Sequence, residues 1–231
     1  MKNIVVLTGA GISAESGIST FRDSGGLWEG HRVEDVASPE GWHRNKQVVL
    51  DFYNLRRADV LKAQPNAAHI ALVALAQHFN VNIITQNVDD LHERAGSKNV
   101  LHLHGEILKV RSQAGKQQVY DWRKDLHIGD TCELGSQLRP HIVWFGEAVP
   151  EIENAIRMVR KADICIVIGT SMVVYPAAGL IHEAPRTASI YFVNPDVNAV
   201  PPMPNLHVIA EKAATCKFGI GGTAFTSGFK K

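Results

Sequence analysis

Four short apolar segments dominate the hydropathy pattern, and each ends in small or polar residues: 3–9, 81–87, 162–171 and 189–196. They are rich in Val and Ile without strict alternation, which is typical of parallel strands that helices cover on both faces. Weaker strands are predicted at 100–104 and 206–209, and helices at 69–78, 152–161 and 176–183. The pattern therefore predicts an α/β fold built on a doubly wound parallel sheet.

Two segments fit such a sheet poorly. Residues 28–68 are rich in Trp, Arg and His and include a predicted helix at 48–63, whereas residues 107–139 are polar, with short strands at most. We expect both to be insertions that form a smaller domain. The main domain would then comprise 1–27, 69–106 and 140–231, with a glycine-rich tail that is predicted to be mobile.

Composition narrows the choice of partners and compartment. The 231 residues carry 24 basic and 23 acidic side chains, so there is no overall attraction to nucleic acid or to anionic membranes. No apolar run approaches the roughly 20 residues that cross a bilayer, and the N-terminal run continues into a glycine turn instead of a cleavage site. Three cysteines without pairing spacing favour a reducing compartment. We expect a cytoplasmic protein with neither nucleic acid nor membrane as partner; the oligomeric state stays open and is compatible with a monomer.

The first predicted strand runs directly into a glycine-rich turn. Gly9, Gly11 and Ala14 fit the G-x-G-x-x-G/A pattern, in which the backbone approaches a pyrophosphate and the third small residue keeps the helix close to the sheet. A tight turn without a ligand has the same local pattern. A dehydrogenase would next show a strand that ends in an acidic residue. Here STFRDSGGLWEG is polar and predicts no strand before Val81, which disfavours hydride transfer.

Six blocks of sequence, in order, resemble the sirtuins, the NAD-dependent protein-lysine deacylases. The blocks are GAGISAESGISTFR (9–22), TQNVDDLHERAG (85–96), LHG (103–105), WFGE (144–147), GTSMVVYPAAGL (169–180) and VNPD (193–196). The resemblance implies a Rossmann-like domain with a smaller domain made from two insertions. It also implies that NAD is a co-substrate and that acyl-lysine proteins or peptides are partners. The acyl oxygen would attack C1′ of the nicotinamide ribose, giving nicotinamide, free lysine and O-acyl-ADP-ribose.

The resemblance also implies roles for individual residues. His104 would be the general base, with Asn87 and Asp89 as the other catalytic residues. His102 would be structural, although a His-x-His pair alone could bind a metal or simply pack. Asp89 or Asp90 could also cap a helix. NAD contacts are implied for Gly9, Ala10, Gly11, Ala14, Glu15, Phe21, Arg22, Trp28, Gln86, Asn87, Val88, Asp89, Gly169, Thr170, Ser171, Asn194, Pro195, Asp196 and Ala213.

The segment around WFGE resembles the part of a sirtuin that pairs with an extended peptide. Strand addition would give affinity with little sequence selectivity, although an ordinary strand edge has the same pattern. The substrate-binding residues implied here are Val143, Phe145, Gly146 and Glu147.

Tyr53 and Arg56 are three residues apart, which places them on one face of the predicted helix. A guanidinium beside a hydroxyl suits a carboxylate. The pair resembles the Tyr-x-x-Arg of sirtuins that remove succinyl, malonyl or glutaryl groups, with acetyl-lysine expected as a further substrate. Alternatively, Arg57 and Asp59 nearby could mark a solvated helix face.

The chain departs from the family pattern at its zinc site. Most sirtuins hold a structural zinc with four cysteines in the second insertion, whereas 107–139 contains only Cys132. His127 and Asp130 do not complete any familiar zinc spacing, so we expect no metal. An ADP-ribosyltransferase or NAD glycohydrolase, or a non-catalytic NAD or ADP-ribose sensor, remains the alternative function.

Overall fold

A computed structural model describes residues 1–20, 27–28, 30–115, 118–172, 174–197, 203 and 205–216. Its elements in chain order are β1 (Asn3–Thr8), α1 (Ala10–Ala14), β2 (Leu27–Trp28), β3 (His31–Arg32), α2 (Val33–Val36), α3 (Pro39–Arg44), α4 (Lys46–Lys62), α5 (Ala67–Leu75), β4 (Asn80–Thr85), α6 (Leu91–Ala95), β5 (Val100–His102), β6 (Gly105–Ser112), β7 (Val119–Asp121), β8 (Leu138–Ile142), α7 (Ile152–Val159), β9 (Ile164–Ile168), a 3-10 helix (Ala177–Glu183), β10 (Ser189–Val193) and β11 (Leu206–Ile209).

The central sheet has six parallel strands in the order β11-β10-β9-β1-β4-β5. Strand β1 lies in the middle, the chain first adds β4 and β5 on one side, and it then crosses over to add β9, β10 and β11 on the other. The predicted α/β, Rossmann-like fold is confirmed. The point where the strand order reverses lies between β1 and β9, and in such sheets the ligand crevice opens at the carboxyl ends beside it.

Both faces of this sheet are covered, which explains the lack of alternation in the sequence. Ile4 and Val6 pack on one face with Leu72 of α5, whereas Val5 packs on the other face with Val159 of α7. Burying each such side chain contributes roughly 1.5–3 kcal/mol. The sheet is therefore a rigid base for the loops at its carboxyl edge.

A third hydrophobic cluster joins the two inserted segments. Phe52 and Tyr53 of α4 pack in it with Val110 of β6 and Leu138 of β8. The side chain of Asn54 also ties α4 to Leu126, donating to its carbonyl (3.0 Å) and accepting from its N–H (2.9 Å). We propose that this cluster is the core of the smaller domain expected from the sequence.

The local predictions differ from the structure in a few places. A two-residue strand, β2, does precede Val81, but it pairs with β3 in a separate sheet, so the next strand of the central sheet is still β4. The helix predicted at 176–183 is present as a 3-10 helix (Ala177–Glu183), and Ala184 after it is extended (φ −65°, ψ 139°), as expected before a proline. Helices α2 and α3 were not predicted. The tail at 217–231 lies outside the described residues.

In the part of the chain that the structure describes, no helix combines the length and the apolar character needed to span a bilayer.

Candidate functional site

The carboxyl ends of β1 and β9 meet backbone to backbone. The N–H of Gly11 donates to the carbonyl of Gly169 (2.8 Å). A Cβ on Gly11 would lie 2.8 Å from Gly169 Cα, and one on Gly9 would lie 2.7 Å from Thr170 Cβ. Gly169 itself has φ +60°. These contacts require glycine and place the turn at the switch point of the sheet.

Ala14 does not have the packing role that the motif predicted. It is exposed, as are Ala10 and Glu15, whereas Ile12 and Ser13 are the buried residues of α1. Because the helix begins at Ala10, the residue that faces inward is Ser13, one position before the Ala14 that the motif predicted. Small, exposed positions remain at the rim of the crevice.

A buried hydrogen-bond network links β4 to the glycine turn. Asn87 Nδ2 donates to the carbonyl of Gly9 (3.1 Å) and to Ser13 Oγ (2.9 Å), and Ser13 Oγ donates to Asp89 Oδ2 (3.0 Å). Asp89 Oδ1 accepts from the N–H of Leu91 (3.1 Å), the first residue of α6, whereas the N-cap residue Asp90 makes no side-chain cap hydrogen bond. Burial raises the pKa of Asp89, against the opposing effect of these hydrogen bonds. Sequence reasoning missed Ser13, whose only signal is a polar residue on the buried side of a short helix.

His104 lies in the bend between β5 and β6, close to this network. Its Nδ1 is 3.1 Å from the carbonyl of Gln86. Because a carbonyl only accepts, Nδ1 carries the proton, and in the neutral ring Nε2 keeps its lone pair. Burial lowers the pKa of His104 and so favours that neutral form, with the hydrogen bond to Gln86 opposing the shift. The ring is thus arranged to accept a proton at Nε2.

His102 contrasts with His104 because both of its nitrogens are used. Nδ1 lies 3.1 Å from the carbonyl of Asn87, and Nε2 lies 2.9 Å from Glu93 Oε1. Burial opposes protonation, but the hydrogen bond and charge of Glu93 raise the pKa of His102 overall. This arrangement supports the structural role expected for His102.

The other predicted NAD positions divide into several groups. Gln86 Nε2 donates to Thr170 Oγ1 (3.1 Å), which joins the ends of β4 and β9. Asn194 Nδ2 donates to the carbonyl of Asp196 (2.6 Å) after β10. Pro195 and Asp196 are exposed, Ser171 and Val88 are half-buried, and Ala213 is buried, with Glu15 accepting from the adjacent N–H of Ala214 (3.1 Å). Phe21, Arg22 and Asp23 lie outside the described residues.

Trp28, predicted to contact NAD, packs against Arg56, one of the predicted acyl-binding residues. The Arg56 guanidinium is 4.4 Å from the centroid of the Trp28 ring and 5.7 Å from that of Phe52. Tyr53 is 1% exposed, and its hydroxyl oxygen accepts a hydrogen bond from Trp144 Nε1 (3.1 Å). Burial raises the pKa of Tyr53, against this hydrogen bond and the charge of Arg56.

The face of α4 that carries Tyr53 and Arg57 is buried, contrary to the solvated face left open by the sequence, whereas the nearby Asp59 is exposed. Arg57 is 1% exposed, and its Nε donates to the carbonyl of Ile107 (3.0 Å). Tyr53 is equally buried. The Tyr53 side chain is therefore shielded from solvent.

The model of the Sir2 family matches residues 9–176. The chain belongs to the Sir2 family. It is 57% identical over 213 residues to the NAD-dependent protein deacylase of Helicobacter pylori strain ATCC 700392 / 26695, covering 92% of this chain and 93% of that protein.

Two solved Sir2 structures are similar to this chain over almost its whole length. The crystal structure of a Sir2 homologue in complex with NAD is 42% identical, with a TM-score of 0.84, and covers 93% of this chain and 86% of that one. The structure of Sir2 bound to an acetylated peptide is 30% identical, with a TM-score of 0.74, and covers 92% and 89%.

In this Sir2-family chain, the predicted peptide-binding segment is largely held by internal contacts. The N–H of Val143 donates to the carbonyl of His104 (2.9 Å), and that of Phe145 donates to Ala37 (3.0 Å). Phe145 is 48% exposed, and the exposed Gly146 has φ +88°. Phe145 and Gly146 are thus the exposed members of this segment.

Glu147, also predicted to bind substrate, has protein donors on both carboxylate oxygens. Arg139 donates to both oxygens (2.7 and 3.0 Å), Arg111 donates to Oε2 (3.2 Å), and so does the N–H of Trp144 (2.8 Å). Burial opposes ionisation, but these hydrogen bonds and charges lower the pKa of Glu147. We therefore propose that Glu147 holds the segment in place and does not contact the substrate directly.

The lobe that carries zinc in most sirtuins is organised here by Gln137. Its Oε1 accepts from the N–H of Gly129 (2.8 Å), and its Nε2 donates to the carbonyls of His127 and Asp130 (3.0 Å each). The Asp130 carboxylate accepts from the N–H of His127 (2.8 Å). Within the described ranges, no group of three or more His, Cys, Asp or Glu side chains is placed to hold a metal ion.

A pair of buried histidines adjoins the end of β1, and neither was predicted from the sequence. His69 and His92 are 0% and 1% exposed, and their ring centroids are 4.9 Å apart. His92 Nε2 lies 3.1 Å from Thr8 Oγ1, directly before the glycine turn. Burial lowers the pKa of His69 to about 4 and, together with the neighbouring His69, that of His92 to about 3. Both rings are therefore neutral at pH 7.

Proposed function

We propose that the protein is an NAD-dependent protein-lysine deacylase that removes succinyl- and malonyl-type groups and also acetyl groups. Its products would be nicotinamide, free lysine and O-acyl-ADP-ribose. Family membership and the relative named as a deacylase support the reaction class. The acidic-acyl preference is supported by Tyr53 and Arg56, which lie three residues apart on α4 with the Arg56 charge acting on the Tyr53 hydroxyl.

The observation that carries the proposal is the state of His104. The Gln86 carbonyl fixes the proton on Nδ1, which leaves Nε2 as the acceptor that a general base requires. Gln86 is also hydrogen-bonded to Thr170, so the base is tied to the end of β9. In this role His104 would take the proton of a ribose hydroxyl as that oxygen closes on the acyl carbon.

The residues at the carboxyl edge of the sheet fit NAD. Gly9, Gly11 and Gly169 leave no room for side chains between β1 and β9, and small or polar groups at Ala10 and Asp196 are exposed around them. NAD supplies a cleavable bond between nicotinamide and ribose. In this proposal Asn87 and Asp89 hold the nicotinamide ribose, because their network ends at the turn itself.

We also propose that the lobe at 107–139 contains no zinc and that the protein is cytoplasmic. The hydrogen bonds of Gln137 supply the cross-links that a metal would otherwise provide. Three free cysteines, of which Cys165 and Cys216 are buried, suit a reducing compartment.

The test is to supply NAD with peptides that carry succinyl-lysine or acetyl-lysine and to measure acyl loss by mass spectrometry. His104→Asn keeps a donor for the Gln86 carbonyl but removes Nε2, and should lower kcat/KM at least about 100-fold. His78→Gln, at an exposed histidine, is the control. Acyl loss that survives His104→Asn would contradict the assignment of the base.

Arg56→Met tests the acyl preference. It should lower succinyl removal far more than acetyl removal, because only the succinyl group offers a carboxylate to the guanidinium. If the wild type prefers acetyl-lysine and Arg56→Met leaves that preference unchanged, the acidic-acyl assignment is wrong. ADP-ribosylated protein without acyl loss would identify a transferase instead.

A further inference from the structure

The hydrogen bond between Trp144 and Tyr53 fixes the polarity of the Tyr53 hydroxyl. An indole N–H is a donor only, so the hydroxyl oxygen accepts from Trp144 Nε1 at 3.1 Å. The hydroxyl hydrogen must then point elsewhere. Among the residues that the structure describes, Tyr53 has no other hydrogen-bond partner. The phenol is thus a buried donor that lacks an acceptor.

A buried donor without an acceptor costs stability, and a ligand that accepts its hydrogen bond removes that cost. Tyr53 and Trp144 are 1% and 2% exposed, so water does not readily take this place. Arg56, on the same face of α4, adds positive charge near the hydroxyl. The missing partner therefore has the chemistry of an anionic acceptor.

Trp144 is held in the orientation that this hydrogen bond needs. The Arg139 guanidinium lies 3.3 Å from the centroid of the Trp144 ring, and the backbone N–H of Trp144 donates to Glu147 (2.8 Å). Glu147 in turn accepts from Arg139 on both carboxylate oxygens. Trp42 packs against the ring at 5.7 Å between centroids. These contacts restrict rotation of the indole, so its N–H stays directed at Tyr53.

We infer that Trp144 is a specificity-determining positioning residue: by occupying the Tyr53 oxygen as a donor, it commits the Tyr53 hydroxyl to donate to acyl groups that end in an anionic acceptor. This inference rests on the proposed deacylase function and adds to it a residue that need not touch the substrate. Loss of the indole N–H would free the hydroxyl to rotate and to accept, and the preference for a carboxylate would fall.

The experiment compares kcat/KM for succinyl-lysine and acetyl-lysine peptides in Trp144→Phe, Tyr53→Phe and the double variant. Trp144→Phe keeps an aromatic ring for Arg139 and should lower the succinyl-to-acetyl ratio about 3- to 10-fold, mainly through KM. In the Tyr53→Phe background, adding Trp144→Phe should leave the ratio unchanged. Trp42→Phe is the matched control, since the Trp42 indole N–H donates to Gln113 (3.2 Å) and not to Tyr53.

The outcomes separate this inference from the proposed function. No removal of either acyl group by the wild type would refute the deacylase. Deacylation with equal losses for both peptides in Trp144→Phe, or an equal change of the ratio in Trp42→Phe, would overturn only the role of Trp144.

A measurement on the folded wild type covers the case in which Trp144→Phe does not fold. The four tryptophans give four indole signals in 15N-labelled protein, and Tyr53→Phe identifies the one next to Tyr53. That signal should shift on addition of the succinyl peptide with NAD and stay in place with the acetyl peptide. An equal response to both peptides would contradict the inference.

Discussion

The buried pair His69 and His92 should make the protein sensitive to mild acid. Both pKa values are lowered in the folded state, to about 4 and about 3, from 6.5 in the unfolded chain. Because the unfolded state binds more protons below pH 6.5, the contribution of each group is fully present above that pH and is lost as the pH falls. Glu93 favours protonation of both rings and His102 opposes that of His92, but burial dominates.

The magnitude follows from the size of these shifts. A pH of 5 is about one and a half units below the pKa of each ring in the unfolded chain. At about 1.4 kcal/mol per unit, each ring therefore lowers the free energy of unfolding by about 2 kcal/mol at pH 5. Both rings are essentially unexposed, so solvent does not screen this cost. A loss of about 4 kcal/mol between pH 7 and pH 5 is a large share of a typical domain's stability.

The assay is urea unfolding at pH 7 and pH 5 for the wild type and for His92→Gln. Glutamine places its amide group near the position of Nε2, so it can keep a hydrogen bond with Thr8 Oγ1 in either direction, but it does not titrate in this range. We expect the difference in unfolding free energy between the two pH values to shrink by about 2 kcal/mol in this variant. His78→Gln, at an exposed histidine, should change it little. An identical pH dependence in the wild type and His92→Gln would refute the reasoning.

Three further predictions concern the crevice and the lobe. Gly11→Ala should cost about 1–3 kcal/mol and abolish the thermal shift given by NAD, because its Cβ would lie 2.8 Å from Gly169 Cα; a normal NAD response would contradict the packing. The acid limb of kcat/KM should lie below pH 6.5, because burial lowers the pKa of the proposed base His104, and a limb above 6.5 would contradict that shift. Metal analysis of the purified protein should find no stoichiometric zinc, and one zinc per chain would overturn the role given to Gln137.

The central sheet could be predicted because its signal is local. Strands buried on both faces need continuous apolar residues, so Val5 and Ile166 indicate their element without knowledge of any neighbour. The same holds for Gly9 and Gly11, whose close contact with another strand is possible only without a side chain. At such positions the residue type alone is enough to predict the local structure.

What could not be predicted depends on contacts between distant segments. The Trp144–Tyr53 hydrogen bond joins residues 91 positions apart, and the Thr8–His92 pair is separated by 84. The periodic pattern of hydrophobic residues along the chain does not indicate such pairs. Ala14 fits its motif in sequence but is exposed, because the inward face of a short helix depends on where the helix begins. The expectation of a strand-free loop after the turn likewise missed β2, which exists only through its pairing with β3.

The most direct test of the proposed reaction is its mass balance. Wild-type protein, NAD and a succinyl-lysine peptide are incubated together, and nicotinamide, free-lysine peptide and O-succinyl-ADP-ribose are quantified from the same sample. The proposal predicts that the three accumulate in equal amounts. Nicotinamide with ADP-ribose or ADP-ribosylated protein while the peptide keeps its acyl group, or reduction of NAD, would contradict it.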